Sequence, residues 1–142
     1  MPVVLSVLLG GVYLATGLCR HFGFPYESDA LRVRRYGHSI EGGRLDWLMY
    51  PALPLERRDV LVVDDVLDRG ETLNAVQAWL GAQGARAVHT AVLVRKQAEH
   101  SKTPQVDYVG FDCGGDFLVG CGMDFKGLGR GLPALYALGA AS

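Results

Sequence analysis

Residues 59–94 constrain the fold more than any other stretch of this chain. Asp59 precedes an apolar run, Val60-Leu61-Val62-Val63, which ends on two acids, Asp64-Asp65. A turn follows, Val66-Leu67-Asp68-Arg69-Gly70-Glu71-Thr72. Leu73, Val76 and Leu80 then recur at helical spacing with Trp79 alongside, and Gly81 and Gly84 end that helix. Ala87 to Val94 is a second apolar run with β-branched residues. Strand, helix and strand within about 35 residues form a βαβ unit, which requires a parallel sheet and a right-handed crossover.

The N-terminus repeats the pattern. Pro2 to Leu9 reads as a strand buried on both faces, Gly10-Gly11 as a turn, and Leu14, Leu18 and Phe22 as one helix face, stopped by Gly23 and Pro25. The first 19 residues carry no charge, yet they lack a basic leader and the glycine pair interrupts them, so a strand and helix are expected rather than a membrane span. Ser28 to Arg35 alternates as a second strand. Residues 37–58, with Gly42-Gly43, Pro51 and Pro54, read as a long loop with a short hairpin around Trp47. Val106 to Asp112 and Phe117 to Met123 look like short strands of a small β appendage. The expected architecture is α/β: an open, twisted, mostly parallel sheet flanked by helices, with a β-rich C-terminal hood. It forms a single domain over 1–142, with a core over about 1–100 and the hood over about 104–142.

Composition narrows the function classes. Apolar residues make up 49% of 142, enough for a core, and a net charge of −1 gives no global field for nucleic acid or anionic membrane. Three separated cysteines, Cys19, Cys113 and Cys121, form no disulfide framework or zinc motif, and fit a reducing cytoplasm. Four scattered histidines have no ligand spacing.

The chemistry concentrates after the middle strand. A turn opening a helix offers unpaired backbone N–H groups and the positive end of the helix dipole, which suit a phosphate. Gly70 allows close backbone approach and Thr72 adds a hydroxyl. Two adjacent carboxylates are poor phosphate ligands, but they accept hydrogen bonds from sugar hydroxyls or hold Mg²⁺. A phosphorylated ribose answers both requirements.

Asp64 to Thr72 with its preceding strand resembles the phosphoribosyl-pyrophosphate motif of the type I phosphoribosyltransferases. Val92-Leu93-Val94-Arg95-Lys96, Asp107 to Phe111, Phe117 to Gly120 and Gly122 to Phe125 resemble the hypoxanthine-guanine members. Leu8 to Gly11 resembles their pyrophosphate loop and Arg35-Tyr36 their closing loop.

The resemblance implies a fold, a Mg²⁺-dependent salvage reaction and a set of roles. Hypoxanthine or guanine and phosphoribosyl pyrophosphate would give IMP or GMP, the purine nucleoside monophosphates, and pyrophosphate. Asp64 and Asp65 would hold the ribose hydroxyls, and Asp68 would act as general acid/base near purine N7. Asp68, Arg69, Gly70, Glu71 and Thr72 would bind the 5′-phosphate. Arg95 would stand where the family's lysine meets the 6-oxo group. Phe117 would stack on the base, and Leu118 and Asp124 would complete the purine site. Leu9, Gly10 and Arg130 would hold pyrophosphate, with Asp64 and Asp124 toward the metal. A homodimer or homotetramer is the implied assembly.

The chain departs from the family at Leu9, Arg35 and Arg69, and it begins almost directly at the first core strand. A non-catalytic nucleotide-binding regulator is the alternative. Its nucleic-acid face would need Arg32, Arg34, Arg35, Arg57 and Arg58. A phosphoacceptor domain fits less well, because the acidic pair comes late and the tail is β-rich.

Overall fold

A computed structural model describes residues 1–35, 45–97 and 104–139. In chain order the elements are β1 (Val3–Val7), α1 (Gly11–Cys19), β2 (Glu27–Arg35), β3 (Leu45–Met49), β4 (Asp59–Leu67), α2 (Glu71–Ala82), β5 (Ala87–Lys96), β6 (Tyr108–Cys113), β7 (Phe117–Val119) and β8 (Tyr136–Leu138). Six strands form one sheet in the order β3-β2-β1-β4-β5-β6, parallel throughout except for the β2–β3 pair. β7 and β8 form a separate antiparallel pair.

The central strands are apolar on both faces because both faces are covered at the middle of the sheet. Val3, Leu5, Val60 and Val62 pack with Leu73, Val76 and Leu80 of α2 on one side. Val4 and Val63 pack with Ala15 of α1 on the other. Each of the larger side chains buried in this way contributes about 1.5–3 kcal/mol. α1 is a helix of only nine residues. An apolar groove of about 510 Å³ lies beside it, lined by Leu14, Leu18, Phe22, Leu61, Ala91 and Val109 among others.

Several boundaries differ from expectation for local reasons. β1 ends at Val7, and Leu8–Gly10 turn away, with the Leu8–Leu9 peptide cis. α1 ends at Cys19 rather than near Gly23. His21 and Phe22 then donate to the carbonyls of Leu18 and Cys19 in i→i−3 bonds that tighten the last turn. Phe22 still packs on the α1 cluster. The strand at Tyr108–Cys113 is not part of the appendage. It pairs with β5 as the edge of the main sheet, because Val106 and Val109 supply apolar contacts to the α2-side core. β7 stops at Val119 instead of reaching Met123, since Gly120, Cys121 and Gly122 all have positive φ and cannot continue a strand.

The order of strands fixes where a ligand can bind. β1 connects outward to β2 and β4 connects outward to β5, so the connections diverge between β1 and β4. The general rule for such sheets puts a crevice at the carboxyl ends of that pair, where the loop at Gly10 packs against the acids of β4.

Candidate active site

Two helix N-termini approach this crevice. α1 begins at Gly11, directly after the β1 loop, and α2 begins at Glu71, directly after the turn at Gly70. Each presents backbone N–H groups and a positive dipole end. Gly70 caps α2 with φ +77, in the left-handed region, and a side chain there would also meet the Pro104 ring at 2.0 Å. A cleft of about 210 Å³ is lined by Arg35, Asp64, Asp65, and the whole run from Val66 to Leu73, with Val92 at its base. The acidic pair and the glycine turn, assigned from sequence to a single site, therefore share one cavity.

The strand expected to end on the acids runs past them. β4 continues to Leu67, and Asp64 stands opposite Val92 in the β4–β5 ladder. Asp65 N–H donates to Asp64 Oδ1 at 2.9 Å, and Val66 N–H donates to Asp65 Oδ1 at 2.7 Å. Burial, followed by the repulsion of Asp65, pushes the Asp64 carboxyl well above the usual carboxylate range. Burial also raises Asp65, against hydrogen bonds and the charge of Arg130, which pull it back. Desolvated, mutually repelling carboxylates make a site that gains by accepting donors or a cation.

The β1 loop and the hood close on these acids from the other side. A methyl group on Gly10 would lie 1.9 Å from Asp65 Oδ2, so only glycine lets the loop approach. A methyl group on Gly122 would lie 2.2 Å from the Gly10 carbonyl oxygen, so the hood rests directly on that loop. Arg130 donates to the Gly122 carbonyl at 2.6 Å and to Asp124 Oδ1 at 2.8 Å. Gly127 N–H donates to Asp124 Oδ2 at 2.7 Å. Asp124 is thus held by the hood itself through both oxygens. Leu9 is exposed at the tip of the loop.

The remaining charges divide unequally. Arg35 pairs with Glu71 at 3.1 Å across the cleft. Asp68 and Arg69 are exposed on the turn, and Thr72 lines its inner wall. Tyr36 lies outside the described residues.

At the hood, Phe117 is 48% exposed and meets Phe125 edge-on, with ring centres 5.6 Å apart. Arg95 does not serve this corner. Its guanidinium makes a two-pronged bond to Asp112, its cross-strand neighbour, at 2.6 and 3.1 Å. The adjacent Lys96 is the cation near the aromatic platform, its Nζ 5.6 Å from the Phe117 ring centre. Strand alternation explains the exchange, because Lys96 shares the side of Val92, which lines the cleft, and Arg95 takes the other. Lys96 and Phe125 stand beside Phe117 at this corner and were not singled out from sequence. The parity of β5 was the signal that could have identified Lys96.

The donor set fits Mg²⁺. Asp64 and Asp65 offer hard oxygens at a desolvated, over-negative position, and Mg²⁺ is commonly held through one or two carboxylates with water and substrate phosphates completing its shell. Among the described residues no group of three or more His, Cys, Asp or Glu is placed to form an all-protein cage. Asp124 fits less directly, with both oxygens already accepting hydrogen bonds. Among the described residues, no helix is long and apolar enough to cross a membrane.

Comparison with known proteins agrees with this geometry. The Phosphoribosyl transferase domain family matches residues 1–126. The hypoxanthine-guanine phosphoribosyltransferase of Mycobacterium tuberculosis is 33% identical over 137 residues, covering 96% of this chain and 68% of that protein. The bifunctional protein TilS/HprT of Listeria innocua is 31% identical over 138 residues; the chain spans 96% of itself but only 21% of that longer protein. The hypoxanthine phosphoribosyltransferase of Trypanosoma cruzi, solved in complex with IMP, superposes with a TM-score of 0.87 at 28% identity, covering 96% of this chain and 75% of that one. Fold, crevice and sequence together place this chain in the phosphoribosyltransferase family, among its hypoxanthine-guanine members.

Proposed function

We propose that the protein transfers a phosphoribosyl group from phosphoribosyl pyrophosphate to a 6-oxopurine, releasing pyrophosphate. One observation carries this reading: the acidic pair of β4 and the glycine-capped start of α2 line one cleft, and the β1 loop packs against Asp65 beside it. Asp64 and Asp65 accept the ribose hydroxyls. The turn from Asp68 to Thr72 receives the 5′-phosphate on backbone N–H groups, with Arg69 as the cation of that turn not tied to an acid among the described residues. The loop at Gly10 and Arg130 face the pyrophosphate end. Phe117 stacks on the base, Lys96 meets its 6-oxo group, and Asp68 exchanges the N7 proton.

Displacement at C1′ builds positive charge on the ribose and negative charge on the leaving group. Mg²⁺, when bound, supplies charge neutralisation for the departing pyrophosphate. The chain's own residues do the rest: the acids orient the sugar, the two helix termini fix its phosphate ends, and the aromatic corner holds the base nitrogen in line. No covalent nucleophile is needed. In this reading the enzyme is cytoplasmic and works as a homodimer or homotetramer.

The test is nucleotide formation from hypoxanthine, guanine and xanthine with phosphoribosyl pyrophosphate and Mg²⁺. Turnover of at least one base is expected. Folded protein that binds the nucleotides yet turns over none of the bases would instead support a nucleotide-binding regulator.

A further inference from the structure

The hood carries a second cation that the reaction as described does not use. Lys126 Nζ stands 5.3 Å from the Phe125 ring centre, and Phe125 meets Phe117 at an interplanar angle of 80°. The two half-exposed rings form a corner, with Lys96 over one wall and Lys126 over the other. Neither lysine has an acidic partner among the described residues, and the nearest acid in sequence, Asp124, is already engaged by Arg130 and Gly127. The backbone at Lys126 has φ +51, a left-handed conformation that glycine adopts freely and lysine does not. The same loop uses glycine at two other left-handed positions, Gly127 and Gly129. A strained lysine kept beside two glycines points to a task for its side chain.

The purine classes differ at one edge. Every 6-oxopurine offers an acceptor oxygen at C6. At C2, hypoxanthine offers a hydrogen, guanine an amino donor and xanthine a second acceptor oxygen. A base stacked on Phe117 with its 6-oxo group toward Lys96 turns its C2 edge along the aromatic corner. A cation there attracts an oxygen, ignores a hydrogen and repels an amino group. We propose that Lys126 reads the C2 edge of the base and favours 2,6-dioxopurines over 2-amino-6-oxopurines. This deepens the phosphoribosyltransferase reading and rests on it.

The experiment is binding of XMP, IMP and GMP, each with Mg²⁺, to the wild-type protein and to Lys126→Ala and Lys126→Gly, followed by calorimetric titration. Binding keeps the test independent of turnover. The wild-type protein is expected to bind XMP more tightly than GMP. Both variants should lower the XMP-to-GMP affinity ratio by about tenfold, the worth of one charge-assisted bond, with IMP changed little. Lys126→Gly should also melt at a higher temperature, since it relieves the left-handed backbone, yet lose the same selectivity. A structural role alone would not produce that combination. A ratio within twofold of wild type in both variants would overturn the proposal while leaving the enzyme reading intact, as would equal weakening of all three nucleotides. Failure of the wild-type protein to bind any of the three would overturn the underlying reading, and this one with it.

Discussion

Replacing Gly10 by alanine probes the contact on which the site is built. Gly10 has φ −64, so alanine carries no backbone penalty there, and the effect is purely steric. The new methyl would lie 1.9 Å from Asp65 Oδ2 and 2.4 Å from its carboxyl carbon, where ordinary contact begins near 3.4 Å. The carboxylate or the loop must therefore retreat by about 1.5 Å. Asp65 is not free to do so without loss, because its Oδ1 accepts from Val66 N–H at 2.7 Å. Overpacking of this kind costs about 1–3 kcal/mol. That corresponds to a drop in melting temperature of roughly 3–10 °C at this chain length. A misplacement of about 1 Å at a reacting centre costs on the order of 100-fold in rate. Steady-state kinetics with phosphoribosyl pyrophosphate as the varied substrate should show that loss in kcat/KM. Gly17→Ala is the control: it lies in the helix that Gly10 precedes, a methyl there meets nothing within 4 Å, and it should stabilise the fold by about 0.5–1 kcal/mol without touching activity. A Gly10→Ala enzyme within twofold of wild type would refute the claim that this loop is fitted to the Asp65 carboxylate.

Asp64→Asn separates stability from function. Burial, then the charge of Asp65, raises the Asp64 carboxyl, so the folded state holds that proton more tightly than the unfolded chain does. The corresponding stability is present below the unfolded value of about 3.9 and is lost as pH rises through the higher folded value. The ligand-free variant should therefore melt above wild type at pH 7, with the gain shrinking toward pH 4, while kcat/KM falls by about 100-fold. Thermal melts across that range check the sign. Lys96→Ala should raise KM for the base by about 10–100-fold, the worth of a charge-assisted hydrogen bond. Arg95→Ala should change the melting temperature little, because its pair with Asp112 is half-exposed and screened by solvent, and should leave that KM near wild type. Equal effects of the two substitutions on KM would put Arg95 back at the base.

Local features carried most of what could be read from the chain. The βαβ unit, the helix face Leu73, Val76 and Leu80, and the grouping of Asp64 to Thr72 in one cleft all depend on neighbours in sequence. What neighbours in sequence do not carry depends on parity and on distant pairing. Arg95 and Lys96 are adjacent cations, and only the alternation of β5 sends one to Asp112 and the other toward Phe117. The expected strand over Val106 to Asp112 reads with the appendage because only Gly114-Gly115 separates it from the strand at Phe117, whereas the pairing of Tyr108–Cys113 with β5 is a tertiary fact. The approach of Gly10 to Asp65, and of Gly122 to Gly10, joins three segments that no periodicity connects.

Thermal stabilisation by phosphoribosyl pyrophosphate with Mg²⁺ tests most directly whether the β4 acids and the α2 turn grip a phosphorylated sugar. At a ligand concentration of about 100 times Kd, mass action should stabilise the wild-type protein by about 2.7 kcal/mol. Ribose 5-phosphate with Mg²⁺ should give a smaller shift, and Asp64→Asn should abolish the dependence on the metal. An unchanged melting temperature at saturating phosphoribosyl pyrophosphate and Mg²⁺, in protein shown to be folded, would contradict the account.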